Sequence, residues 1–217
     1  MGNRFRVFFR RFVKIWVEPR QTLRSILDEQ PGYHVWTFVL VYAVLSAFQP
    51  LLFVPFLGRL PLDLLFLGAL LFSIAFDVIL LFFFSGFWYL IGKWMGGKGT
   101  FKGVMTAYAW SYPPALIGVL FQQLAYIPQL LSILSGETDF KTLFAESRMS
   151  WQSSCDLISL ALAGWTAVLL VINLSETHKI SIPRSIGLVL TILIPFMLAA
   201  VVGIALLVMS QFGVHWH

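Results

Sequence analysis

The chain has 217 residues, 59% hydrophobic and only 12% charged, with mean hydropathy +0.83; soluble globular chains carry about 25% charge, so these charges cannot cover a water-exposed surface and most of the molecule faces lipid. The net charge of +5 argues against nucleic-acid binding by its placement. Seven of the fifteen Lys and Arg fall in the first 24 residues and most others in short connections between apolar runs, the usage of a membrane protein.

The N-terminus lacks the uninterrupted apolar core of a cleavable signal, because Arg10, Arg11 and Lys14 break it. It also lacks a myristoylation motif, since Arg6 stands where Ser or Thr is required. Phe5, Phe8, Phe9, Phe12 and Trp16 recur at helical spacing, with Arg4, Arg6, Arg10, Arg11 and Lys14 on the opposite arc and Val7 and Ile15 interrupting the pattern. The expectation is a membrane-surface helix, rings in the acyl boundary and cations against lipid phosphates; the alternative is a basic helix docked on its own bundle. Glu18-Pro19 opens a second short amphipathic helix over 19–30, with Leu23, Ile26 and Leu27 on one side, and Pro31-Gly32 ends it. Residues 1–33 are thus a cytoplasmic amphipathic region, and 34–217 a transmembrane domain.

Five apolar stretches follow, over about 35–57, 64–92, 104–127, 152–173 and 186–210, each near the roughly 20 residues a bilayer core requires. Pro128 predicts a bend or exit from the third, followed by a partly helical external segment over 128–150. The fold class is all-α, a polytopic membrane protein of five transmembrane helices preceded by basic interfacial helices. A cytoplasmic N-terminus places twelve cations inside: the first seven, then Lys93, Lys98 and Lys102, then Lys179 and Arg184. Arg59, Lys141 and Arg148 lie outside, and the positive-inside rule selects this orientation, with the C-terminus external. Trp88, Tyr89 and Trp94 read as aromatic anchors at the inner boundary, and Trp151 at the outer one.

The stretch from Gly96 to Gly118 joins a glycine-rich cationic turn to an apolar segment broken early by two prolines. Gly96, Gly97, Gly99 and Gly103 supply a flexible turn whose lysines can meet anionic headgroups; the residue order of a phosphate-binding loop is missing. Pro113 and Pro114 remove amide donors and free carbonyls one turn back, which in lipid need new partners from Ser111, Tyr108 or a neighbouring helix. The simplest outcome is a kinked span.

These residues carry a resemblance. Gly96-Gly97-Lys98-Gly99-Thr100-Phe101-Lys102, then Ala109-Trp110-Ser111-Tyr112-Pro113-Pro114, is similar to the signature of the Yip family of five-span membrane proteins. That signature has Gly-Gly and a Phe before the third span, then Gly/Ala-Tyr-x-x-x-Pro inside it. Ala109 takes the small position, Trp110 the aromatic one and Pro114 the proline, with Trp replacing the family Tyr. Trp16-Val17-Glu18-Pro19-Arg20, with Ile26 and Pro31, resembles the short N-terminal region of bacterial members. Eukaryotic Yip proteins are associated with prenylated Rab GTPases and vesicle trafficking. Their long N-terminal tail and its Asp-Leu-Tyr-Gly-Pro motif are absent here, so the resemblance implies the bacterial branch and an inner-membrane location, without Rab binding.

Two carboxylates stand inside spans: Asp77 near the middle of the second and Asp156 in the outer third of the fourth, with Gln122 and Gln123 of the third as candidate partners. A charge at the bilayer centre costs about 2.5–3.5 kcal/mol on insertion scales, which makes an intramembrane acid a functional candidate; a helix-packing hydrogen bond is its structural counterpart. His34, His178, His215 and His217 show no metal-site spacing, and no nucleophile has a base at readable spacing, so neither a metal, a cofactor nor an enzyme is expected. The leading reading is a non-enzymatic protein that organises membrane or binds lipid or a membrane-protein partner, including a second copy of itself. In it the basic N-terminal helix meets anionic headgroups and the proline-broken span shapes a groove. The alternative is a small transporter or lipid-translocating protein with Asp77 and Asp156 along a polar path.

Overall fold

A computed structural model describes residues 2–47, 61–134 and 149–211, and all the regular elements among them are helices. The outer part of the first expected span (48–57), most of the external segment (135–148) and the tail (212–217) lie outside the described residues. So do Arg59, Lys141, Arg148, His215, His217 and the side chains of Arg4 and Trp151.

Helix α1 (Gly2–Lys14) lies at the cation-rich end of the molecule. Its inner stripe is Phe8, Phe12 and the following Ile15, successive steps of four and three residues that stay on one helix face. Phe8 meets Phe38 with ring centroids 5.7 Å apart, Phe12 meets Phe38 at 6.4 Å, and Ile15 is fully buried. This revises the five-ring face: Phe5 and Phe9 are 69% and 57% exposed, and Ile15, which interrupted the cationic arc, is one of the buried anchors. The helix docks on its own bundle through one stripe and leaves a second, Phe5-Phe9-Val13, uncovered.

Helix α2 (Pro19–Glu29) starts on the proline, whose missing N–H costs nothing in a first turn, and buries Thr22, Leu23 and Ile26. Arg11 Nη2 donates to Glu29 Oε2 at 2.5 Å, joining the two helices. Helix α3 (Val35–Ser46) is the described part of the first span and is too short to cross a bilayer by itself. Helices α4 (Leu62–Trp94), α5 (Phe101–Ala109), α6 (Tyr112–Leu134), α7 (Met149–His178) and α8 (Ile182–Gln211) complete the bundle. Four stretches are long and apolar enough to cross a membrane: 63–94, 101–127, 152–178 and 182–203. They match the second to fifth expected spans, whereas the count of five extends past the described residues.

The third span departs from the expected kink. It is two helices, α5 and α6, separated by a turn at Trp110–Ser111. Helix α6 runs on through Pro128 to Leu134, and the stretch apolar enough to cross a membrane ends at Ile127. It runs along α7, while α5 wedges between α3, α4 and α7. Leu67, Leu71, Phe83, Leu160 and Leu198 point outward, as side chains solvated by lipid do. The core sits at the cation-rich end, where Leu23, Phe38, Trp110, Leu174 and Leu188 are each no more than 1% exposed. Trp88 belongs to this core, 4% exposed with its ring 5.4 Å from Phe84, so it is not an interfacial anchor; Trp94 is 88% exposed.

Candidate functional site

The glycine-rich turn packs tightly on the end of α7. Helix α7 stops because Lys179 adopts a left-handed backbone (φ 56°), after which Ile180 N–H returns to Ser175 C=O at 3.1 Å. The His178 carbonyl is taken by Lys98 N–H at 2.9 Å, a bond from the turn itself. Gly92, Gly97 and Gly99 then close round the fully buried His178 ring. A Cβ on Gly97 would stand 2.6 Å from Gly92 O, and one on Gly99 2.9 Å from His178 Nδ1, distances no real Cβ adopts. These glycines therefore serve close approach. Gly96 serves conformation instead, with φ 84° and open space beyond it. Neither ring nitrogen of His178 has a hydrogen-bond partner of good geometry, although the Trp88 backbone makes a looser polar contact.

Glu176, two residues before His178, has only 8% of its side chain exposed and accepts from Arg24 Nε at 2.9 Å and from Lys179. The pairing holds the Arg24 guanidinium above its ordinary pKa. Arg24 thereby fastens α2 to α7, and Glu176 escapes the cost of a lone buried charge.

After the turn, Thr100 caps α5 by accepting from Gly103 N–H at 3.1 Å, and Phe101 stacks on Phe82 at 6.2 Å. The family-like residues Ala109 and Trp110 are fully buried where α5 ends. Pro113 and Pro114 occupy the first turn of α6, where no amide donor is needed. The Ala107 carbonyl loses its helical donor because Ser111 N–H turns to Tyr108 C=O at 3.0 Å; it accepts instead from Ser111 Oγ at 2.8 Å and from Asn173 Nδ2 at 3.2 Å, and Asn173 Nδ2 also reaches Ser111 Oγ at 3.2 Å. Asn173→Ala is expected to cost about 0.5–1.5 kcal/mol, the net worth of the hydrogen bonding lost between α7 and the break, since Ser111 Oγ still serves the Ala107 carbonyl. Thermal unfolding in detergent checks this, and an unchanged midpoint would remove Asn173 from the account of the break.

Below the break lies a cavity of about 570 Å³. Its polar lining is Tyr42 and Ser46 of α3, Ser73 and Asp77 of α4, Tyr108 of α5, Tyr112 of α6 and Thr166 of α7, with Phe72, Phe76, Leu80 and Ala115 completing the wall. Asp77 is 6% exposed, and its Oδ2 is buried without a hydrogen-bond partner. Tyr108 near the end of α5 and Tyr112 at the start of α6, four residues apart across the break, stand on the same wall. Their rings lie 5.1 Å apart, and Tyr112 stacks on Tyr42 at 5.2 Å. An orphaned carboxyl oxygen amid phenol and alcohol groups is a hydrogen-bonding group left without a protein partner on the cavity wall.

The other candidates lie elsewhere. Asp156 is exposed in the N-terminal part of α7, and neither it nor Gln122 or Gln123 lines the cavity. Gln123 Nε2 is buried without a partner at its own position. Among the basic residues of α1, Arg6 and Arg10 are exposed, Lys14 pairs with Glu18 at 3.5 Å, and Arg11 turns inward, 5.3 Å from the Tyr33 ring centroid. Among the described residues, no three His, Cys, Asp or Glu side chains converge as a metal site would need.

The family model of the Yip1 domain matches residues 13–205. No curated protein and no solved structure matches the chain.

Proposed function

This chain belongs to the Yip1-domain family of membrane proteins, and from that premise we propose that it is a non-enzymatic binding protein whose cavity around Asp77 holds a membrane-borne molecule. The observation that carries the reading is the unpartnered Asp77 oxygen on the wall of a 570 Å³ chamber. A group of this polarity is retained inside a bilayer where something compensates it. The proline-broken span fits the same role, because it contributes Tyr108 and Tyr112 to the wall.

The setting we propose is a bacterial inner membrane with the N-terminus cytoplasmic. The bonds from Arg11 to Glu29, from Arg24 to Glu176 and from Lys98 to His178 join α1, α2, the glycine turn and the end of α7, and the positive-inside rule applied to the cations of these segments supports a cytoplasmic side for them. There α1 meets anionic lipid through its exposed Phe5 and Phe9 and through Arg6 and Arg10.

The test is purification in lipid-retaining polymer particles, with mass spectrometry of what co-purifies. Asp77→Asn keeps side-chain size and a polar group, so the fold is expected to survive. A lipid or protein carried in near-equal amount by the wild type is expected to fall about tenfold in the variant, as the loss of one charge-assisted bond predicts. Identical cargo in both proteins, or none in either, would overturn the reading. Transport uses the same chamber and is favoured by the broken span; loss of substrate flux across reconstituted vesicles in Asp77→Asn, with unchanged cargo, would select it.

A further inference from the structure

A second concavity, of about 530 Å³, lies on the bundle surface between α7 and α8, and none of its lining residues belongs to the Asp77 chamber. Of its ten lining residues nine are aliphatic, and the tenth is Arg20 from the first turn of α2. The depth of the groove follows from α8, which lines it from Ile182 at the cation-rich end to Leu193. Eleven residues of helix rise about 16 Å, close to one leaflet of a hydrocarbon core about 30 Å thick. Arg20 is exposed and takes part in none of the ion pairs found among the described residues, unlike its neighbour Arg24. No acidic side chain lines the groove.

We propose that this groove binds one acyl chain of an anionic phospholipid from the leaflet on the α1–α2 side, with the lipid phosphate held by Arg20. The match is of length and of charge. A slot one leaflet deep with a guanidinium at its mouth presents a phosphate donor where the headgroup of an inserted chain lies. A second negative group adds to the attraction, whereas a headgroup ammonium finds no carboxylate to meet it. Helix α2 gains a purpose beyond packing: Leu23 and Ile26 anchor it to the core, and that docking fixes Arg20 over the slot.

The experiment uses the full chain, delipidated in detergent and titrated with phosphatidylglycerol or phosphatidylcholine, with bound lipid counted by native mass spectrometry. One phosphatidylglycerol is expected to bind in preference. Arg20→Gln is expected to weaken it about fivefold, the effect of one cation near a lipid surface, and to leave phosphatidylcholine less affected. Leu190→Trp, on a lining side chain already 42% exposed, fills the slot from outside the core and is expected to weaken both lipids. Unchanged phosphatidylglycerol binding in Arg20→Gln would overturn the proposal. So would loss in Arg20→Gln without loss in Leu190→Trp, which would mark a surface charge effect. Glycerol phosphate competing as well as the intact lipid would overturn it too, since the headgroup alone would then suffice. Melting temperatures of both variants near the wild type show that the losses are local.

Discussion

Gly92→Ala is expected to lower stability by about 1–3 kcal/mol, the cost of forcing extra volume into a packed site, and His178→Ala is expected to relieve most of that penalty. The added Cβ would press on Cε1 and Nε2 of His178 far inside van der Waals contact, and stand 2.7 Å from Nδ1. All three are ring atoms, held rigidly because the ring is fully buried. Removing the ring therefore removes the clash, and the pair is non-additive by roughly the size of the single penalty. Gly97→Ala behaves differently. Its Cβ would meet Gly92 O at 2.6 Å and His178 Cβ at 2.9 Å, atoms that His178→Ala leaves in place, as well as Nδ1 at 2.6 Å. It stays destabilised in either background. Gly96→Ala has open space around it and pays only for its left-handed backbone, about 1–2 kcal/mol, independent of position 178. A double-mutant cycle on thermal unfolding in detergent checks the ordering. Additive behaviour of Gly92→Ala with His178→Ala would show that the last turn of α4 does not close on the ring.

That clasp shows where sequence reasoning stops. The glycine turn was legible as a turn, because Gly-Gly-Lys-Gly admits little else, but its tightness depends on His178, which arrives from another span. Nothing in local spacing announces such a meeting. The spans were legible because lipid demands about 20 apolar residues in a row, a constraint that acts along the chain. The break in the third span was half legible. Two adjacent prolines mark a loss of amide donors, but the full stop and restart also leaves the Ala107 carbonyl without its helical donor, and Ser111 Oγ and Asn173 of α7 serve it instead. Asp77 stood out as a lone acid in an apolar run. Its setting did not, since Tyr42, Tyr108, Tyr112 and Thr166 come from four different helices. Asp156, exposed near the start of α7, is not among the residues that line the chamber of Asp77. Helix α1 was misread in its details because counting rings favours the stripe with the most aromatics, whereas packing selected the narrower stripe that Phe38 and Trp110 can receive.

Trp110→Ala is expected to cost about 3–5 kcal/mol and to free α1 from the bundle. Trp110 is fully buried at the end of α5, and three elements converge on it. Its indole Nε1 donates to the Tyr33 carbonyl at 2.9 Å, in the link between α2 and α3. Phe38 of α3 meets its ring edge-on at 4.9 Å, and Phe8 of α1 lies 6.0 Å away. Truncation empties the socket that receives Phe8, so the loss falls first on the helix held by one stripe of side chains. Trp110→Phe keeps an aromatic wall but strands the Tyr33 carbonyl, and a smaller cost of about 1–3 kcal/mol follows. Trypsin reads the two effects apart, because α1 offers Arg6, Arg10 and Arg11 as cleavage sites. Cleavage there is expected to speed up in the order wild type, Trp110→Phe, Trp110→Ala, at temperatures where the spans stay folded. Cleavage at the wild-type rate in Trp110→Ala, with global stability lowered, would show that Phe12 and Ile15 hold α1 without the indole. The family-like aromatic position would then serve the broken span alone. The expected order instead makes Trp110 the point where the break in the third span and the basic helix share one support, so the residue that ends α5 also sets the angle at which Phe5, Phe9, Arg6 and Arg10 face the membrane.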